Sequence, residues 1–287
     1  MKKPDTIISG KNVKVGNLLV NRLLPADPIT GVGPFLLLDH GYPVAYNNEK
    51  FIPPGLNEHP HRGLIAFTYV IKGEVEHFDS LGNHQIVGEG GAHWLFSGNG
   101  VIHGERVTER LIRSAGLFHA IQLWINIPSA SKSDPPGYRP LQSDAFPEIE
   151  LPDNCGTIRI LLGKCGSNIS PVEQVSGEFL YRIMLNAKSE FRVNPGDGFS
   201  RAVFAPDGQV LVDGIAIANS ELIILEKKNK EIVLRNPGIL PVDAFVLGGP
   251  EVIEPVVVQG PFVMSTSNEI ADSYRNFFAG VYGVIAK

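Results

Sequence analysis

The chain has 287 residues, 43% hydrophobic and 19% charged, with a net charge of −5. Such a chain is long enough for two globular domains of roughly 130–150 residues each. An acidic balance without a basic patch excludes a dedicated nucleic-acid surface, and no run approaches the ~18 apolar residues that would suggest a membrane span.

The opening "MKKPDTIISG" carries two lysines but no apolar stretch behind them, so no secretory signal is expected. Its two cysteines, Cys155 and Cys165, have neither metal-knuckle nor disulfide-framework spacing. Reduced thiols in a cytoplasmic protein are the expectation.

The first informative stretch is "NEHPHRGLIAF" (57–67). His59 and His61 sit two apart at the mouth of an apolar run. On a strand, side chains alternate, so both imidazoles leave from one face. Arg62 leaves from the other and is expected in a structural ion pair. "LIAFTYVI" (64–71) then reads as a strand, and "VIKGEVEHF" as a hairpin turning at Lys72–Gly73. Phe67, Trp94 and Phe96 are read as core. "SGNGVIHGER" (97–106) brings a second pair, His103 and Glu105, again two apart and behind a glycine-rich turn. "HAIQLWINI" (119–127) is the next strand.

Residues 128–154, rich in Pro, Ser and Asp, lack periodicity and read as the linker, centred on 136–150. Beyond it, "TIRILLG", "FLYRIML", "SELIILE", "EIVLRN" and "DAFVLGG" are short strands between Gly and Pro turns. "FRVNPGDGFS" (191–200) is a turn, and "EKKNKE" (226–231) is a solvated turn closing a second hairpin. Only "TSNEIADSYRNFFAGV" (266–281) is helical. Thr266 and Glu269 form a capping box, and Ile270, Tyr274, Phe277, Phe278 and Val281 share a face.

All eight histidines fall between His40 and His119, none later. Two paired motifs on separate strands, meeting inside a barrel, would offer three imidazoles and one carboxylate: His59, His61, His103 and Glu105. That donor set suits Fe, Mn, Co, Ni, Cu or Zn, and leaves open positions on an octahedral ion, as a catalytic centre requires. His77, His84, His93 and His119 are read as structural or supporting.

"HPHRG", the "YVIKG" turn, "HFDSLGNH", "GNGVIHGE", "IQLWIN" and the later "GGP…EPVVVQGPFVM" occur in the order and spacing of pirins, and the chain resembles that family over most of its length. The resemblance implies an all-β fold: two stacked cupin (jelly-roll) barrels with a C-terminal helix. Residues 1–135 would form the metal-binding barrel and 151–287 a cupin-like barrel without metal. It implies one ion, most often Fe(II), on His59, His61, His103 and Glu105. The wider cupin pattern has a Glu shortly after the H-x-H, where this chain has Ile65. Two roles follow from the resemblance. One is a dioxygenase cleaving quercetin or a related flavonol with O2, in which Glu105 is the general base. The other is a non-enzymatic redox regulator acting through a protein partner. A metal-dependent isomerase is a third.

Overall fold

A computed structural model describes residues 5–16, 18–46, 57–226 and 231–285. Its architecture is all-β, two strand-rich units with one longer helix near the C-terminus. The contacts group residues 12–20, 41–145 and 253–287 into one unit, and 1–11, 21–40 and 146–252 into the other. This differs from a single cut at 136–150. Each unit recruits segments distant in sequence: Thr6–Ile8 pairs with Glu221–Leu225, and Phe262 bridges to Arg62.

Two larger sheets and the strand pair Val257–Gln259/Phe262–Met264 make up the histidine-bearing unit among the described residues. In the larger, strands Gly137–Leu141, Ala92–Phe96, Leu64–Lys72 and Leu117–Asn126 are neighbours in that order. In the smaller, the order is His59–His61, Val101–Val107, Glu74–Asp79 and His84–Gly88. Leu64–Ile71 is buried throughout, as its unbroken apolar run requires. The expected hairpin at Lys72–Gly73 is instead a corner. Leu64–Lys72 pairs with Ala92–Phe96 and Leu117–Asn126, whereas Glu74–Asp79 pairs with Val101–Val107 and His84–Gly88. Gly73, with φ +86°, lets the chain leave one sheet and enter the other.

The linker is also ordered differently from expectation. Gly137–Leu141 is an edge strand paired with Ala92–Phe96, and Glu148–Glu150 pairs with Gly156–Leu162. Backbone pairing supplies an order that side-chain periodicity does not announce.

The second unit repeats the plan. Thr6–Ile8, Glu221–Leu225, Ser200–Ala205, Val242–Gly249, Phe179–Leu185, Gly156–Leu162 and Glu148–Glu150 form one sheet; Glu190–Val193, Ile232–Arg235, Val210–Val212 and Ile215–Ile217 form another. Glu221–Leu225 and Ile232–Arg235 thus lie in different sheets rather than in a hairpin. The turn expected at 226–231 falls largely outside the described residues.

The helix spans Ser267–Phe278, and the Thr266–Glu269 capping box is present. Ile270 is buried and packs with Phe262, Met264 and Tyr282. The stripe is narrower than expected: Phe278 is 80% exposed and Val281 lies beyond the helix, 65% exposed.

Lys132 ties this region to the His59–His61 strand. Its buried Nζ donates to the carbonyls of Gly63 and Val263 and to Oδ1 of Asn126 at 2.8–3.0 Å. Burial pulls its pKa down to about 8, against the pull of Glu254 and Glu269. An unfolded Lys titrates near ~10.4, so between about pH 8 and pH 10 the unfolded chain holds the extra proton, and this group's contribution to stability rises with pH. Lys132→Met should destabilise the protein by roughly 1–3 kcal/mol through its stranded acceptors. Denaturant titrations should show the gap to the parent widening from about pH 7.5 to about pH 9.5; a narrowing gap contradicts this assignment.

Candidate metal centre

The site is built where two short strands run side by side. His59–His61 pairs antiparallel with Val101–Val107, placing His103 opposite His59 and Val101 opposite His61. On its other edge the same strand sets Glu105 opposite His77 and His103 opposite Asp79. The period-two spacing of the two motifs therefore becomes two clusters that share His103. The donor atoms of His59, His61 and His103 lie within 4.8 Å of one another.

Orientation of two of these rings is fixed from outside. Nδ1 of His59 lies 2.7 Å from the carbonyl of Asn57, and Nδ1 of His61 lies 3.0 Å from that of Pro261. A carbonyl only accepts, so each Nδ1 carries a hydrogen and Nε2 of each ring, bare whenever that ring is neutral, is turned inward. Those two Nε2 atoms are 3.1 Å apart, and Nε2 of His103 is 3.2 Å from that of His59. Burial drives the pKa of His61 down to about 3 and, with the neighbouring histidines, holds His103 well below the usual value. Facing lone pairs with no proton between them repel. A cation between them turns the repulsion into coordination, so the residues fit a transition-metal ion.

Glu105 belongs to a second, overlapping cluster with His77 and His103, whose donor atoms also lie within 4.8 Å of one another. Burial alone would raise its pKa, but His77, His93 and Thr68 more than offset this and bring it to about 2. Its Oε2 accepts from Thr68 Oγ1 at 2.8 Å and Gln122 Nε2 at 3.3 Å. Its Oε1 lies 3.6 Å from Nδ1 of His77, too long for a hydrogen bond but close for opposite charges. His77 is itself 3.1 Å from Asp79 through Nε2. Burial works against its charged form, yet the two carboxylates win and raise its pKa.

The supporting histidines divide. His93 bridges Tyr138 Oη at 2.8 Å and the carbonyl of Val75 at 3.1 Å. His84 begins an exposed strand and reaches Glu76 at 2.8 Å. His40 lies with the other unit, 2.7 Å from Ser220 Oγ. Arg62 reaches the Ser273 hydroxyl at 3.4 Å, in place of the expected ion pair. Ile65 is fully buried between Phe96 and Ile125 in the larger sheet. Phe67 is core, as expected; Trp94 is half-buried and stacks on Phe96 at 6.0 Å.

Four contributors escaped the sequence reading. Thr68 and Gln122 are cross-strand partners that grip Glu105. Each is a polar residue inside an apolar strand, which was a usable signal. Trp124 meets the edge of His61 at 5.1 Å. Tyr138, from the supposed linker, stacks on His77 at 4.1 Å with 6° between planes; nothing local in sequence marks it.

Residues 18–125 match the sequence model described as Pirin, and residues 180–283 that of the Pirin C-terminal cupin domain. A Pseudomonas aeruginosa protein provisionally named quercetin 2,3-dioxygenase is 32% identical over 254 residues, spanning 87% of this chain and 86% of its own. A pirin-like protein of Caulobacter vibrioides is 26% identical, with 96% of each chain covered. The crystal structure of quercetin 2,3-dioxygenase from Acinetobacter baumannii matches with a TM-score of 0.91 at 28% identity, over 100% of both chains.

An ion that binds only the folded site stabilises it by mass action, about 2.7 kcal/mol at a hundredfold excess over Kd. Adding Fe(II), Co(II) or Ni(II) to metal-stripped protein should therefore raise the thermal midpoint by several degrees. His61→Ala should remove most of that rise while leaving the metal-free midpoint within a few degrees of the parent.

Proposed function

This chain belongs to the pirin family, and from that premise we propose that it is a metal-dependent dioxygenase, with Fe(II) on His59, His61, His103 and Glu105, that cleaves quercetin or a related flavonol with O2. The observation that carries this reading is the inward convergence of bare imidazole nitrogens beside an ionised carboxylate. The ion would supply Lewis acidity toward an enol hydroxyl and redox chemistry toward O2.

The rest falls to the chain's own side chains. Neutral His59, His61 and His103 leave the ion its charge, and Glu105 removes one unit of it. With a pKa near 2, Glu105 is a weak base by itself. Oε2 already accepts from Thr68 and Gln122, so a substrate proton would go to the lone pair of Oε1 that the ion does not use. Trp124, edge-on to His61, gives the centre an apolar wall suited to an aromatic substrate.

Freshly purified protein should contain about one equivalent of a divalent metal by elemental analysis. Iron-loaded, it should bleach quercetin in air faster than free iron does, and fail to do so without O2. Glu105→Ala should lose roughly 10²-fold or more in turnover. Bleaching no better than that of free iron, or unchanged in that variant, defeats the proposal; turnover that persists without O2 points to an isomerase instead.

A further inference from the structure

Glu105 is asymmetrically held. One carboxylate oxygen has two donors, Thr68 and Gln122, while the other lies 3.6 Å from Nδ1 of His77. That nitrogen is fully buried and makes no hydrogen bond. His77 cannot drift from this position. Nε2 on its far side is anchored to Asp79, whose carboxylate is itself fixed by Leu81 N, Asn83 N and Asn83 Nδ2 at 2.8–3.0 Å. Its face is clamped by the Tyr138 ring. Tyr138 is tied in turn to His93, which bonds the carbonyl of Val75.

We propose that His77 is a positioning residue: held by Asp79 and Tyr138, it fixes the direction of Glu105 Oε1 and thereby makes that carboxylate the fourth ligand of the ion. The inference rests on the ligand set proposed above. Its physical basis is rotamer control. A Glu side chain has three torsions, and holding one oxygen through Thr68 and Gln122 still lets small coupled changes in them tilt the carboxylate about that oxygen and swing the other. A fixed imidazole beside Oε1 removes that freedom. Groups that orient a metal-bound carboxylate in this way commonly change metal retention 10- to 100-fold when lost.

His77→Phe keeps the ring and its stack on Tyr138 but removes both nitrogens. Asp79 keeps its three N–H donors, so its buried charge is not stranded. The readouts are the visible absorption of the Co(II)-loaded protein, which reports ligand number, and the rate at which a chelator extracts Co(II). His77→Phe should give the spectrum of Glu105→Gln and release Co(II) roughly 10- to 100-fold faster than the parent. The double variant should release it no faster than Glu105→Gln alone, because both changes remove one interaction.

Tyr138 gives a second route that leaves both His77 nitrogens in place. Tyr138→Phe keeps the stack and should match the parent spectrum, whereas Tyr138→Leu should shift it toward that of Glu105→Gln. If His77→Phe and Tyr138→Leu both keep the parent spectrum and release rate, or if the His77 and Glu105 effects add fully, His77 does not position Glu105. If Glu105→Gln itself leaves the spectrum unchanged, Glu105 is no ligand, and the ligand set fails together with this inference. A parent protein that gives the expected spectra but no quercetin cleavage separates failure of the activity from failure of the positioning role.

Discussion

Two imidazole nitrogens are made to face each other. The Asn57 and Pro261 carbonyls take the Nδ1 hydrogens of His59 and His61, leaving bare Nε2 atoms 3.1 Å apart. Protonating His61 would relieve the contact, but burial makes that charge costly, as its depressed pKa records. The fold thus holds an arrangement that is unfavourable when empty and favourable around a cation. The carboxylate sits beside it, and the groups that support the carboxylate come from both sheets of the unit.

Much of this was legible from spacing. A period of two is a strong statement about direction, and His59/His61 and His103/Glu105 each state it. Register then supplies what spacing lacks, by setting His103 opposite His59. Turn chemistry proved less informative. Lys72–Gly73 has the composition of a hairpin turn, yet composition reports only that the chain bends, and the bend here carries it into another sheet. Tyr138 was hidden for a related reason. Edge pairing with Ala92–Phe96 orders a Pro-rich stretch without any side-chain period. The helix was read correctly from its cap and Ile270, but a shared helical face does not say how far the covering surface extends, and Phe278 lies past its edge.

The two units use one architecture with differently furnished interiors. In the unit of residues 146–252 and its N-terminal segments, Ile158, Ile160, Tyr181, Ile183, Val203 and Val246 belong to one apolar core. In the other, His61, Thr68, His77, Asp79, His93 and His103 are buried beside apolar side chains such as Leu64, Phe67 and Leu123. Polar residues at such depth persist only when their partners are in place, which explains why this unit contains so many linked hydrogen bonds.

One of those bonds has a bearing on biosynthesis. The carbonyl that sets the His61 tautomer belongs to Pro261, 200 residues downstream of the ring it orients. During translation, all four proposed ligands leave the ribosome long before Pro261 does. The nascent barrel can gather its imidazoles early, but their final alignment waits for the late strand pair Val257–Gln259 and Phe262–Met264 to arrive. Capture of the ion in its finished geometry therefore waits until residues 257–264 have been made and paired.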